Sequence, residues 1–142
     1  MAADDDAAYW VGSMASRVAR VSARTGELTA SMPLASDASV AAGNLPSNPT
    51  DVALGGGAVW ISTTNGTLVR LDAKLHGVVA RIPACHNALA VAYGLGAVWV
   101  ACADDTLVRV DPATDEPGKR IALDGVPRSI TAGEGAVWVS VQ

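Results

Sequence analysis

Residues 48–86 read NPTDVALGGGAVWISTTNGTLVRLDAKLHGVVARIPACH, residues 87–125 read NALAVAYGLGAVWVACADDTLVRVDPATDEPGKRIALDG, and laid over one another without a gap they agree at 15 of 39 positions. The agreements fall in blocks: Gly57-Ala58-Val59-Trp60 on Gly96-Ala97-Val98-Trp99, Thr67-Leu68-Val69-Arg70 on Thr106-Leu107-Val108-Arg109, Asp72 on Asp111, and Arg81-Ile82 on Arg120-Ile121. Working outward, the same pattern resumes at Val126 and reaches Gly135-Ala136-Val137-Trp138. An earlier copy runs from Tyr9-Trp10-Val11 to Pro33. The four tryptophans, Trp10, Trp60, Trp99 and Trp138, stand at intervals of 50, 39 and 39, so the first interval holds 50 − 39 = 11 extra residues. An Ala- and Ser-rich loop over 35–46 accommodates them.

Each unit reads as strands throughout. Val52-Ala53-Leu54 is a short apolar run closed by Gly55-Gly56-Gly57, Ala58 to Thr63 follows at hairpin spacing, and Asn65-Gly66 turns the chain into Thr67–Asp72. Val78 to Ile82 supplies a fourth strand ahead of Pro83. Four short strands in about 40 residues is the unit of a β-propeller. No window of 12 residues holds helical apolar spacing, and a sandwich of unrelated hairpins does not explain a gapless period. The expected fold class is all-β, with four-stranded antiparallel blades in an incomplete ring of about three per chain. The 142 residues divide into a first blade at about 9–34 lacking its first strand, the insertion at 35–46, blades at 48–86 and 87–125, and a half blade at 126–142.

The phrases Gly-x-Gly-Ala-Val-Trp-Val, Leu-Val-Arg-Val-Asp-Pro-Ala-Thr and Val-Pro-Arg-Ser-Ile-Thr-Ala-Gly resemble the blade motifs of bacterial propellers of the streptogramin lyase-like and YVTN-type superfamily. Such blades serve lyases, sensor domains and binding modules alike, so the resemblance implies a fold before it implies an activity. A lyase of this group is expected to carry a Glu after the blade Trp, with His residues completing a site for metal-assisted opening of a cyclic ester. Here the corresponding stretches are Ile61-Ser62-Thr63, Val100-Ala101-Cys102 and Val139-Ser140-Val141, with no Glu in any of them. A non-catalytic module that binds a ligand or a protein is therefore the preferred reading, with the lyase as the alternative. No catalytic residue, metal or cofactor is assigned.

The recurrent Trp residues are expected to pack between neighbouring blades rather than to stack on a ligand. Arg70 with Asp72, and Arg109 with Asp111, two residues apart on one strand face, are expected as solvated or inter-blade ion pairs. Residues that differ between copies carry the functional question. In a propeller the first strand of each blade lines the central channel, and the loops entering it place Asn48, Thr50, His86, Asn87, Arg128 and Ser129 on one rim as candidate ligand-binding residues. Cys85 and Cys102 are expected as free thiols, with a disulfide geometrically possible if the loop before the third unit folds back. A metal site of Cys85, His86, Cys102 and Asp104 matches no zinc spacing. His76 and Asp104-Asp105 read as turn residues.

The net charge of −4 and pI near 4.9 leave no broad cationic surface for a nucleic-acid backbone. No apolar run approaches the ~20 residues that span a bilayer. The opening Met-Ala-Ala-Asp-Asp-Asp lacks the basic and apolar regions of an export signal, which predicts a cytoplasmic location as written and an extracytoplasmic one if the chain is part of a longer exported protein. Two whole units and two partial ones leave sheet edges and faces open. The expected partners are therefore further copies of the chain, or the remaining blades of a longer propeller.

Overall fold

The computed structural model describes residues 2–3, 7–12, 16–34 and 48–142, which form strands and turns with no helix. The loop expected at 35–46 and the side chain of Trp10 lie outside the described residues. The first sheet holds β1 (Ala2–Ala3), β2 (Ala7–Gly12), β3 (Arg17–Ser22) and β4 (Leu28–Pro33). The second holds β5 (Pro49–Gly55), β6 (Ala58–Thr63), β7 (Thr67–Asp72) and β8 (Val78–Pro83). The third repeats it with β9 (Ala88–Gly94), β10 (Ala97–Cys102), β11 (Thr106–Asp111) and β12 (Glu116–Ala122). Strands β13 (Pro127–Gly133) and β14 (Ala136–Val141) make a two-stranded sheet. Every sheet is an antiparallel meander in chain order. One expectation is corrected: the first unit does have a first strand, the two-residue β1, pairing Ala2 with Tyr9 and Ala3 with Ala8. Two alanines beside an Asp run carry no alternation from which a strand could be read.

Turn chemistry sets the register. In the third sheet Ala97 faces Gly94 and Val100 faces Val91, and a bulge between Ala101 and Cys102 leaves Ala88 opposite Cys102. Gly66 turns at φ +80°, and its counterpart Asp105 takes φ +60°, the conformation that the Asn-Gly dipeptide adopts without strain. Asn65 Oδ1 accepts from the Thr67 amide at 3.1 Å, and Asp104 Oδ1 accepts from the Thr106 hydroxyl at 2.6 Å.

The sheets lie face against face and fan outward. Their first strands meet, β5 on β9 and β9 on β13, whereas the outer strands β8 and β12 hardly touch. Three apolar layers fill the spaces between sheets. Ala7, Tyr9 and Val18 of the first sheet pack on Val52, Val59, Ile61, Val69 and Leu71 of the second. On its other face, Trp60, Leu68 and Ile82 pack on Val91, Val98, Val100, Cys102, Val108 and Val110 of the third. Ala90, Ala101 and Leu107, with Trp99 beside them, meet Ile130, Val137 and Val139 of the last sheet. A strand covered on both faces should be apolar without alternation. Accordingly β6 is buried at all six positions, while β14, with nearly the same motif, is buried at none.

Close approach of the first strands requires glycine at one point. A Cβ on Gly55 would stand 1.9 Å from Tyr93 Cδ1 in the next sheet, and one on its counterpart Gly94 would stand 2.6 Å from the Ala132 methyl. Gly55→Ala is therefore expected to destabilise the chain by about 1–3 kcal/mol, the usual range for overpacking. Gly77→Ala, which meets nothing within 4 Å, should be close to neutral. Equal denaturation midpoints for the two variants would contradict this packing.

Candidate functional site

The repeated polar residues work at the seams between sheets. Trp60 Nε1 donates to the Gly55 carbonyl at 3.0 Å, and Trp99 Nε1 donates to the Gly94 carbonyl at the same distance. The hairpin thereby holds each indole flat while its face meets the next sheet. Arg70, cross-strand from Trp60, lies 5.1 Å over that ring, and Arg109 lies 5.9 Å over Trp99. Arg70 then reaches across the seam to the Pro112 carbonyl at 3.1 Å and the Asp115 carboxylate at 2.8 Å. Of the solvated or inter-blade pairs expected, Arg70 forms an inter-blade one, and its carboxylate partner is Asp115. Asp72 and Asp111 face their own turns, accepting from the Lys74 amide at 2.6 Å and the Ala113 amide at 2.9 Å. His76, exposed, stands 3.4 Å from the Asp72 carboxylate in that same turn.

Arg81 donates to the Leu34 carbonyl, and Arg120 donates to the Ala84 carbonyl at 2.7 Å. Leu34 and Ala84 occupy the same place after the fourth strands of successive sheets, so the two bonds are one contact repeated.

The candidate rim residues divide in two. Thr50 is committed to the scaffold: its Oγ1 donates to the Ala88 carbonyl of the next sheet at 2.9 Å and lies 2.7 Å from Ser62 Oγ. Asp51 beside it, which sequence reasoning passed over, binds the Val52 amide at 2.9 Å and reaches across to the Val91 amide at 3.1 Å. No periodic signal marks this clamp, because Ala90 and Ser129 stand at the equivalent positions. Asn48, His86, Asn87, Arg128 and Ser129 are exposed, at or just ahead of the entry to β5, β9 and β13, so contact among those three strands brings them to one end of the fan. Ser129 shares a 2.8 Å hydrogen bond with Ser140. His86 lines a hollow of about 190 Å³ with Pro83, Ala84, Cys85 and Arg120. That is below the ~300 Å³ at which small-molecule pockets begin. A second cleft, about 330 Å³ between the first two sheets, is lined by Tyr9, Leu54, Gly55 and Ala73 among others.

The expectation of free thiols is overturned. Cys85 and Cys102 are joined as a disulfide, with Cα atoms 6.3 Å apart. The loop before β9 folds back because the Ala84 and Cys85 amides both donate to the Gly66 carbonyl, at 3.0 and 3.2 Å. This brings Cys85 to the end of β10. The bond removes both sulfurs from any thiolate ligand set, and among the described residues no group of three or more His, Cys, Asp or Glu could hold a metal ion. The Asp104 carboxylate is engaged by Thr106 and, at 3.6 Å, by Arg120.

Fanned four-stranded meanders of this kind are found in known structures. U3-55K superposes with a TM-score of 0.80 at 11% identity, covering 96% of this chain and 42% of that one. The chain has the fold of β-propeller blades. Hydrazine synthase of Kuenenia stuttgartiensis matches with a TM-score of 0.77 at 15% identity over 92% of this chain and 36% of its own, and the WD40 propeller of Doa1 with 0.74 at 9% over 95% and 43%. Identities this low establish the fold alone. The chain spans about two fifths of the length of these structures. No family model matches the blades, and no curated protein does.

Closing the 17-residue separation between Cys85 and Cys102 should contribute about 3 kcal/mol by the chain-entropy argument. Denaturation with and without dithiothreitol measures it. The reduced chain should unfold at distinctly lower denaturant, and coincident curves would contradict a structural role for the bond.

Proposed function

We propose that the chain is a non-catalytic binding module, a set of propeller blades that joins further blades and presents one rim to a protein or small ligand. The observation that carries this reading is the division of polar residues. The recurrent arginines and aspartates near the seams are tied into inter-blade bonds or turns, with Arg109 the exception, while His86, Arg128 and Ser129, which differ from their counterparts in the other copies, stand exposed at one end beside Asn48 and Asn87. Rigid scaffolds commonly carry function on such variable positions. The blade motifs support a place among bacterial propellers of the streptogramin lyase-like and YVTN type. The Cys85–Cys102 bond supports folding in an oxidising compartment.

Association follows from the open face. Trp60 is fully buried and Trp99 partly so, but Trp138 is 64% exposed, with Val141 at 46%. Covering what Trp138 still exposes would withdraw about 130 Å² from water, worth roughly 3 kcal/mol, so the last sheet favours a partner on that face. Such a partner is a second copy or a following blade.

Two measurements test the proposal. Light scattering at micromolar concentration should show assemblies larger than one chain, and a compact folded monomer would contradict self-association. Incubation with a streptogramin-type macrolactone, with and without magnesium, should leave the ester intact. Turnover that disappears in His86→Ala would replace the binding reading with the catalytic one.

A further inference from the structure

The seam between the first and second blades is built from smaller side chains than the seam that follows it. In the first sheet Arg20 pairs across to Tyr9, the place that Trp60 and Trp99 hold opposite Arg70 and Arg109 in the next two, so a phenol stands there instead of an indole. Leu54 stands where the third blade has Tyr93, and Ala73 where it has Pro112, each 39 residues earlier. At the second seam the larger residue fills the space, because Tyr93 lies along the tip of the preceding hairpin. A Cβ on Gly55 would meet its ring at 1.9 Å from Cδ1 and 2.1 Å from Cγ, and one on Gly56 would stand 3.0 Å from its hydroxyl.

At the first seam a cleft of about 330 Å³ remains, bounded by Tyr9, Leu54 and Ala73 and by Gly55, Gly57 and Ala58 of the β5–β6 hairpin. Both sheets beside it have four strands, so it lies between whole blades. Its size falls within the range of small-molecule sites, which begins at about 300 Å³. Among the described residues that line it none is charged, and its walls are a phenol ring, a leucine, small side chains and hairpin backbone. The Tyr9 hydroxyl donates to the Ala73 carbonyl and accepts from Arg20 Nε at 3.2 Å, which fixes the phenol as one wall.

We infer that this cleft is a binding site for one neutral phenolic ring, seated between the first two blades as Tyr93 is seated between the next two. The flat face of the ring packs on hairpin backbone and on Leu54, and burial of its apolar surface supplies the affinity. Its hydroxyl stays at the mouth, as the half-buried Tyr93 keeps its own at a hairpin tip. A carboxylate or an amine on the ring would enter the cleft without a charged partner among the lining residues, which selects against both. The site lies at the Gly55 end of β5, whereas the exposed rim residues lie at its Pro49 end, so binding here is separate from recognition at the rim.

Titration of the intact protein with p-cresol, followed by amide-resolved NMR, tests the inference. Saturable shifts should appear at the amides of Gly55, Gly57 and Ala73, while those of Asn87 and Ser129 at the rim stay in place. Leu54→Tyr and Ala73→Pro each copy the second seam and should weaken binding about tenfold or more by filling the cleft. Both should keep the melting temperature of the parent, and should one fail to fold, the other stands in for it. The saturated analogue methylcyclohexanol, which is not flat, should bind at least about threefold more weakly. N-acetyltyrosinamide identifies the source of the ring: binding as tight as p-cresol or tighter assigns the cleft to a tyrosine of a partner polypeptide, and weaker binding assigns it to a free phenol. No saturation, shifts confined to the rim, affinity unchanged in a folded Leu54→Tyr or Ala73→Pro variant, or equal binding of methylcyclohexanol would overturn the inference.

Discussion

Trp60 and Trp99 are held in the same way, each by an indole N–H bonded to a carbonyl five residues earlier, and the packing of the central sheets depends on that arrangement. The bond from Trp60 to Gly55 spans the β5–β6 hairpin, so the side chain is fixed by its own blade before it meets the next. The neighbouring sheet then covers a preset surface. The same carbonyl-bearing glycine is the point at which the first strands come closest, with Tyr93 lying against Gly55. One short motif thus sets the orientation of the ring, the spacing of the inner strands and the tilt from one sheet to the next. The consequence is visible in the series Trp60, Trp99, Trp138. Identical local sequence gives full, partial and little burial according to whether a whole sheet, two strands or nothing lies alongside.

Around this wedge the polar seams are economical. One carbonyl position in the outer turn accepts a tyrosine hydroxyl at one seam and a guanidinium at the next, and one position after the fourth strand accepts an arginine at both. These bonds satisfy backbone groups at the ends of strands where a sheet offers no partner. They also align each blade with its neighbour, which the apolar layer cannot do alone. Residues so committed are unavailable to a ligand, whereas the side chains at the entry to β5, β9 and β13 are exposed. The Cys85–Cys102 bond lies between the two sets: it anchors the loop that carries His86 to the end of β10, and so fixes part of the rim to the scaffold.

The fold was legible because a gapless 39-residue period can be read without knowing any contact, and because the hairpin turns are marked by Gly and Asx residues. What escaped was whatever depended on the next sheet. That Arg70 would take part in an inter-blade ion pair was among the expectations, but its partner Asp115, 45 residues along and across a seam, was not named by the repeat. The Thr50 and Asp51 clamp on β9 occurs once, so repetition could not reveal it. The disulfide turned on a fold-back made by backbone bonds to Gly66, which leave no trace in composition, and β1 was too short to show a pattern. Of the candidate residues, Asn48, His86, Asn87, Arg128 and Ser129 are exposed, and the role of Thr50 in the scaffold was not legible.

The central claim is that indoles bonded within their own hairpins are sealed between stacked sheets, and hydrogen exchange at the indole N–H tests it most directly in the unmodified chain. Proton NMR in deuterated buffer should show the Trp60 Nε1 proton exchanging as slowly as the amides of β6, with Trp99 also protected. Exchange of the Trp60 indole at the rate of free tryptophan, while the β6 amides stay protected, would contradict the account.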